Sequence, residues 1–288
     1  MSDTDKHTYR LIISCPDQVG LVAAVSQFIA DHEGWLLESN YHSDGEFGLF
    51  YMRNEIRANS LTVSLEDFRK GFGELADRYN MTWYIRDSFV KRKVAMLVSH
   101  ASHCLSDLLH RWHSKELDCA IPCVISNHEN LRSMVEWHEI PFIYVPVDKN
   151  DKTLAFNTML EILEKYDIDT VVLARYMQIV PAEICQRYNG CIINIHHSFL
   201  PSFVGANPYL KAHERGVKLV GATSHYVTED LDEGPIIEQD VVRVGHRYDR
   251  EDLVRLGKDV ERSVLARAVR SHLEDRVIIQ GNKTIVFD

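Results

Sequence analysis

The spacing of apolar residues changes period along the chain, and each change marks an element. Residues 9–14 read as a strand, followed by a turn at Cys15-Pro16-Asp17-Gln18-Val19-Gly20. Leu21, Val22, Val25, Phe28 and Ile29 then recur at helical spacing and define one apolar stripe. Residues 35–42 and 49–56 read as two strands around the turn-rich Ser43-Asp44-Gly45-Glu46. Ser64 with Asp67 three residues later signals a helix start, which Phe68, Phe72, Leu75 and Tyr79 continue. Residues 81–85 close a β-α-β-β-α-β rhythm over residues 1–88. That order predicts an α+β unit on the split-βαβ plan, with two helices on one face of a small sheet.

The basic run Val90-Lys91-Arg92-Lys93 interrupts the pattern, so residues 89–93 read as a linker and 94–288 as a second domain. Strand-like runs at 94–99, 120–126, 142–145, 170–174 and 191–196 alternate with helical ones near 104–115, 131–137, 154–166 and 181–188. Such alternation predicts an α/β, Rossmann-like domain with a mostly parallel sheet covered on both faces. Further strands are expected at 219–227 and 236–244. A long last helix near 251–274 carries Leu253, Leu256, Val260, Val264 and Ala268 on one stripe, and Gly281-Asn282 reads as a hairpin turn.

Composition narrows the function classes. A chain of 288 residues is long enough for two cores, and 45% apolar with 26% charged residues is ordinary for a globular protein. The formal net charge of −10, shared by both halves, opposes a nucleic-acid or membrane-surface binder, which needs a basic face. Apolar runs are strand-sized, short of the roughly 18 residues a membrane helix needs, and the polar start lacks a signal-peptide core. The six cysteines form no Cys-x-x-Cys pair, so free thiols and a cytoplasmic location are expected.

Ligands of open α/β sheets lie beyond the carboxyl ends of the strands, which draws attention to Ile192-Ile193-Asn194-Ile195-His196-His197-Ser198-Phe199-Leu200-Pro201. Side chains alternate along a strand, so Asn194 and His196 share a face about 6.6 Å apart, from a rise of roughly 3.3 Å per residue. An amide donor and an imidazole side by side can hydrogen-bond one group and pass it a proton. The adjacent His196 and His197 face opposite ways in a strand, and no cysteine or carboxylate lies at chelating spacing, so no metal site is expected. A second stretch, Ser224-His225-Tyr226-Val227-Thr228-Glu229-Asp230-Leu231-Asp232-Glu233-Gly234-Pro235, bunches four acids before a tight Gly-Pro turn. The pattern leaves open which of Glu229, Asp230, Asp232 and Glu233 faces His196. Cys104, at a helix start, is a place where a thiol pKa can be lowered, although a hydrogen bond from an amide and a proton from an imidazole need no thiol.

Asn194-Ile195-His196, Leu200-Pro201-Ser202-Phe203-Val204-Gly205 and Leu231-Asp232-Glu233-Gly234-Pro235 together resemble the signature of the folate-dependent formyltransferase fold. The resemblance continues through Leu173-Ala174-Arg175-Tyr176-Met177-Gln178-Ile179 and Asp259-Val260-Glu261-Arg262. It implies a catalytic triad of Asn194, His196 and Asp232, and a folate pocket formed by Met177, Gln178, Ile179, Val180, Gly205, Glu229 and Asp230. The turn Asp17-Gln18-Val19-Gly20 with Leu36-Leu37-Glu38-Ser39 resembles the ferredoxin-like ACT regulatory domain. That likeness implies paired copies and an amino-acid effector near Asp17 and Gly20; read by itself, Asp17 caps the following helix.

The combination resembles the formyltetrahydrofolate deformylase family. It implies hydrolysis of 10-formyltetrahydrofolate to formate and tetrahydrofolate, with formate supplied to one-carbon metabolism and purine synthesis. No cofactor is implied, the folate being the substrate, and a homo-oligomer is. Two positions depart from the family pattern: Ser102 stands where an acidic residue is usual, and Asn207 where a basic one is. Alternatives are a glycinamide ribonucleotide formyltransferase, a methionyl-tRNA formyltransferase and a non-catalytic amino-acid sensor. The loop Ser99-His100-Ala101-Ser102-His103-Cys104 lacks the glycines favoured in phosphate cradles, and the acidic balance opposes tRNA.

Overall fold

The computed structural model describes residues 6–148, 150–201 and 208–288; Gly205 and Asn207 lie outside the described residues. The chain divides into two units, one reaching through Lys91 and including Phe287–Asp288, the other spanning Arg92–Val286.

In the first unit, strands β1 (Thr8–Pro16), β2 (Leu36–Asp44), β3 (Leu49–Arg57) and β4 (Thr82–Asp87) form a sheet of order β2-β3-β1-β4, with all neighbours antiparallel. Helices α1 (Leu21–Asp31) and α2 (Leu65–Arg78) complete the split-βαβ order. Alternate residues Leu11, Ile13, Met52 and Ile56 of the sheet join Val25, Ile29, Phe68 and Phe72 of the helices in one buried core. The expected cap of α2 is present, Ser64 Oγ accepting the Asp67 N–H at 3.1 Å. Asp17 does not cap α1. The N-cap is Gly20, left-handed at φ +96°, with no side-chain bond. The Asp17 carboxylate instead accepts the Ser43 hydroxyl, and its N–H donates to Gly48 O at 2.8 Å. A turn that needs glycine at its last residue satisfies the backbone without a side-chain acceptor.

The second unit holds a seven-stranded sheet of order β11-β10-β9-β8-β5-β6-β7. Its strands are β5 (Lys93–Val98), β6 (Ala120–Ser126), β7 (Phe142–Tyr144), β8 (Thr170–Leu173), β9 (Ile192–His196), β10 (Leu219–Tyr226) and β11 (Ile236–Arg243). The five from β9 to β7 are parallel; β10 and β11 are antiparallel. Helices α3 (His103–His113), α4 (Arg132–Glu136), α5 (Thr153–Lys165), α6 (Ala182–Arg187), α7 (Pro208–Arg215) and α8 (Arg250–Leu273) surround it, and β12 (Val277–Gln280) pairs with β13 (Lys283–Val286) in the expected hairpin. One buried cluster lies on each face of the sheet, as its near-continuous apolar strands require. Of the basic run read as a linker, Lys93 opens β5 and Arg92 pairs with Asp275 and donates to His272 Nε2 at 2.8 Å. Helix α7 had no counterpart in the sequence reading. Among the described residues, no helix is long and apolar enough to cross a membrane.

This topology decides where a ligand goes. From β5 the chain steps outward to β6 and β7, then returns to β8 on the other side, so the order reverses between β5 and β8. Loops on opposite sides of such a reversal diverge and leave a crevice at the carboxyl ends of the strands.

Candidate active site

Strand β9 delivers Asn194 and His196 to this crevice, while Ile193 and Ile195 point into the core on the other face. The strand ends at His196. Thr223 Oγ1, directly across the ladder, donates to Ser198 O and accepts the Leu200 N–H, both at 2.9 Å. The chain therefore bends, and the His197 ring stacks on His196 with centroids 5.0 Å apart. The opposite facing expected of strand neighbours fails here because the strand stops one residue too early.

Asp232 reaches the same point from the β10–β11 connection. Its backbone is left-handed at φ +60°, a conformation aspartate tolerates better than most residues. Gly234 holds the loop down: a Cβ there would lie 1.8 Å from Tyr226 O, so only glycine fits. Asp232 Oδ1 lies 3.2 Å from His196 Nδ1 and 3.7 Å from His225 Nε2. Hydrogen bonding to His196 outweighs burial and holds the Asp232 carboxyl well below the usual carboxylate range. Of the four acids that the pattern left open, Asp232 is the one at His196.

His225 is the residue the sequence reading missed. It pairs with Asn194 across the β9–β10 ladder. Its Nδ1–H donates to Tyr226 O at 2.9 Å, which leaves Nε2 as the acceptor for the Asn194 amide at 3.2 Å. That bond fixes the amide and leaves its second N–H without a partner among the described residues. The signal was present in Ser224-His225-Tyr226, but the partner strand and its register were needed to read it.

These groups open on a cavity of about 600 Å³, within the range that encloses one cofactor-sized molecule. Asn194, His196, Asp232, Met177, Gln178, Ile179, Val180, Glu229 and Asp230 all line it. Met177 and Ile179 are 58% and 60% exposed, so they are not core residues, whereas Val180 is buried. Gln186 Nε2 donates to Glu229 at 2.7 Å, and Ser99 Oγ accepts the Met177 N–H at 3.0 Å, anchoring both rims. Asp17 and Gly20 belong to the first unit and do not line this cavity.

Cys104 is fully buried, and burial with the nearby Glu261 pushes its thiol up, the reverse of the lowering that a helix start can bring. Among the described residues, His103, Cys104 and Glu261 are the one group with metal-ligand atoms close together, within 4.8 Å. They do not fit a cation: Glu261 is already held by His103 at 2.8 Å and faces the Arg175 guanidinium at 3.4 Å, which takes up its charge.

Residues 92–269 match the formyl transferase family. A formyltetrahydrofolate deformylase of Bacillus subtilis is 49% identical, covering 99% of this chain and 96% of that protein. The chain belongs to the formyltetrahydrofolate deformylase family. The crystal structure of a deformylase from Pseudomonas syringae pv. tomato is 59% identical with a TM-score of 0.96, covering 98% of this chain and 95% of that one. A glycinamide ribonucleotide transformylase 1 from Symbiobacterium toebii is 28% identical with a TM-score of 0.65, over 71% of this chain and 97% of its own. Deformylase relatives thus extend along nearly the whole chain, while the transformylase matches a smaller part.

Proposed function

We propose that the chain hydrolyses 10-formyltetrahydrofolate to formate and tetrahydrofolate, which supplies formate for one-carbon metabolism and purine synthesis. The observation that carries this reading is the meeting of Asn194, His196 and Asp232 on the wall of one cavity of about 600 Å³. Water adds to the formyl carbon, and negative charge develops on the formyl oxygen. The second N–H of Asn194 and the His196 imidazole stabilise it; one such donor typically accounts for about 10²–10³ in rate. As the carbon–N10 bond breaks, N10 takes a proton relayed by His196. Asp232, ionised and bonded to Nδ1, turns Nε2 of the same ring toward the reacting groups and supports its positive charge. Met177, Gln178, Ile179, Val180, Glu229 and Asp230 hold the pterin. No cofactor is required by this chemistry.

Formate release from 10-formyltetrahydrofolate without any acceptor tests the reading. A strict requirement for glycinamide ribonucleotide would replace it with the transferase alternative.

For the first unit we propose an ACT-type regulatory role, supported by its split-βαβ order and the Asp17–Gly20 turn. A small amino acid is the proposed effector, tested by calorimetric titration with glycine, serine and methionine. Edge strand β2, with Tyr41 60% exposed, favours pairing between copies in a homo-oligomer. The buried thiols Cys15, Cys104, Cys123 and Cys185 form no disulfide, which favours the cytoplasm.

A further inference from the structure

Beyond His197 the wall of the cavity is a closed polar circuit. The His197 ring lies 5.0 Å from that of His196 and 6.3 Å from that of Tyr209. Tyr209 donates its hydroxyl to Glu261 Oε1 at 2.6 Å. The other carboxylate oxygen, Oε2, takes His103 Nε2 at 2.8 Å and faces Arg175 Nε at 3.4 Å. Glu261 is 1% exposed, so all three neighbours act on a desolvated charge and hold it strongly. Arg175 reaches it from a left-handed backbone at φ +66°, uncommon for a residue with a Cβ, directly after β8.

Tyr209 is held from below as well. A Cβ on Gly257 would meet its hydroxyl at 2.1 Å and its ring carbons at 2.3 Å, so the phenol lies directly on the backbone of α8. Gly257 and Glu261, one turn apart on that helix, form a seat and an anchor for one ring. All these residues except Gly257 border the cavity that holds Asn194, His196 and Asp232.

An acceptor other than water must reach the formyl carbon with its nitrogen. A buried, unclaimed carboxylate on this wall would draw such an amine in as its ammonium; here Arg175, His103 and Tyr209 occupy that carboxylate. His197 and Tyr209 line the same cavity as the triad and as residues 177–180, against which the pterin is placed. The geometry points to Tyr209, seated on Gly257 and anchored by Glu261, as a specificity-determining residue that closes the acceptor side of the site to amines and leaves space for water. The inference rests on the hydrolytic reading above. In hydrolysis the carbon–N10 bond breaks, a carbon–oxygen bond to water forms, and N10 takes up hydrogen. With a primary amine, a carbon–nitrogen bond forms instead and one amine hydrogen ends on N10.

The test measures partition. The full chain, with Tyr209→Ala and Tyr209→Phe variants, is given 10-formyltetrahydrofolate and excess glycinamide, and formate and N-formylglycinamide are both quantified. Tyr209→Ala is expected to raise the N-formylglycinamide share by about tenfold or more, the scale on which pocket shape discriminates. Tyr209→Phe keeps the ring but frees one Glu261 oxygen, so its rise is expected to be smaller than that of Tyr209→Ala. An unchanged share in Tyr209→Ala while substrate is still consumed overturns the inference, as does an equal rise in both variants. Loss of fold alone leaves the ratio unmoved, because both products come from the same active molecules. Should Tyr209→Ala not fold, Gly257→Ala, which displaces the ring, carries the same expectation and the same overturning result. A wild-type chain that releases no formate sinks the hydrolytic reading and is distinguishable from both.

Discussion

Oδ1 of Asp232 lies 3.2 Å from Nδ1 of His196, and the other ring nitrogen, Nε2, has no hydrogen-bond partner among the described residues. On the proposed mechanism, the carboxylate at Nδ1 orients the ring so that Nε2 is the nitrogen that meets substrate. Asp232→Asn preserves the shape but removes this bias. It is expected to lower kcat by about 10²–10⁴ with little change in KM. Steady-state formate release checks this, and a variant within tenfold of wild type would remove Asp232 from the chemistry.

His225 acts through Asn194. Replacing it with phenylalanine keeps the packing of β10 but takes the acceptor from the Asn194 amide, which is then free to turn. Misplacement of a reacting donor costs up to about 10²-fold, so kcat is expected to fall while KM for the folate holds. A rise in KM with unchanged kcat would assign His225 to substrate binding instead.

Gly234 ties the carboxylate loop to β10. In Gly234→Ala the new Cβ would collide with backbone, which cannot yield as a side-chain tip does. The expected loss is about 3 kcal/mol of stability, together with activity lost per folded molecule because Asp232 moves. Gly245→Ala, whose Cβ meets nothing closer than 4.0 Å, is the control. Equal melting temperatures for the two variants would contradict the close approach.

Burial, then the charge of Arg175, pushes the His197 pKa down from 6.5 to about 4. The native state therefore keeps His197 neutral where the unfolded chain has protonated it. More protons bind to the unfolded chain between pH 6.5 and 4, so stability rises with pH across that window and is lost as acid is added. The loss is up to about 3 kcal/mol. Denaturant unfolding of His197→Gln is expected to give a flatter curve over this range, and an unchanged slope would place the effect on other groups.

Much of the architecture was legible because it rests on local rules. Leu21, Val25 and Ile29 at helical spacing, the Ser64–Asp67 start and the alternation of buried strands with helices led to elements within a residue or two of those observed. Helix α7 escaped because its eight residues, largely polar, show no sustained apolar stripe. The Asp17 cap failed because the residue type permits a cap, while the turn geometry chose Gly20.

The site divides along the same line. Asn194 and His196 could be paired from sequence because a strand places residues two apart on one face, a covalent consequence of backbone geometry. Nothing local could choose Asp232 among four neighbouring acids, place His225 opposite Asn194, or bring Glu261 from the last helix to Tyr209. Those outcomes depend on strand register, on a glycine pressed against Tyr226, and on where β9 stops. Local periodicity therefore determined the parts, and contacts between residues far apart in the chain determined which of them share a cavity.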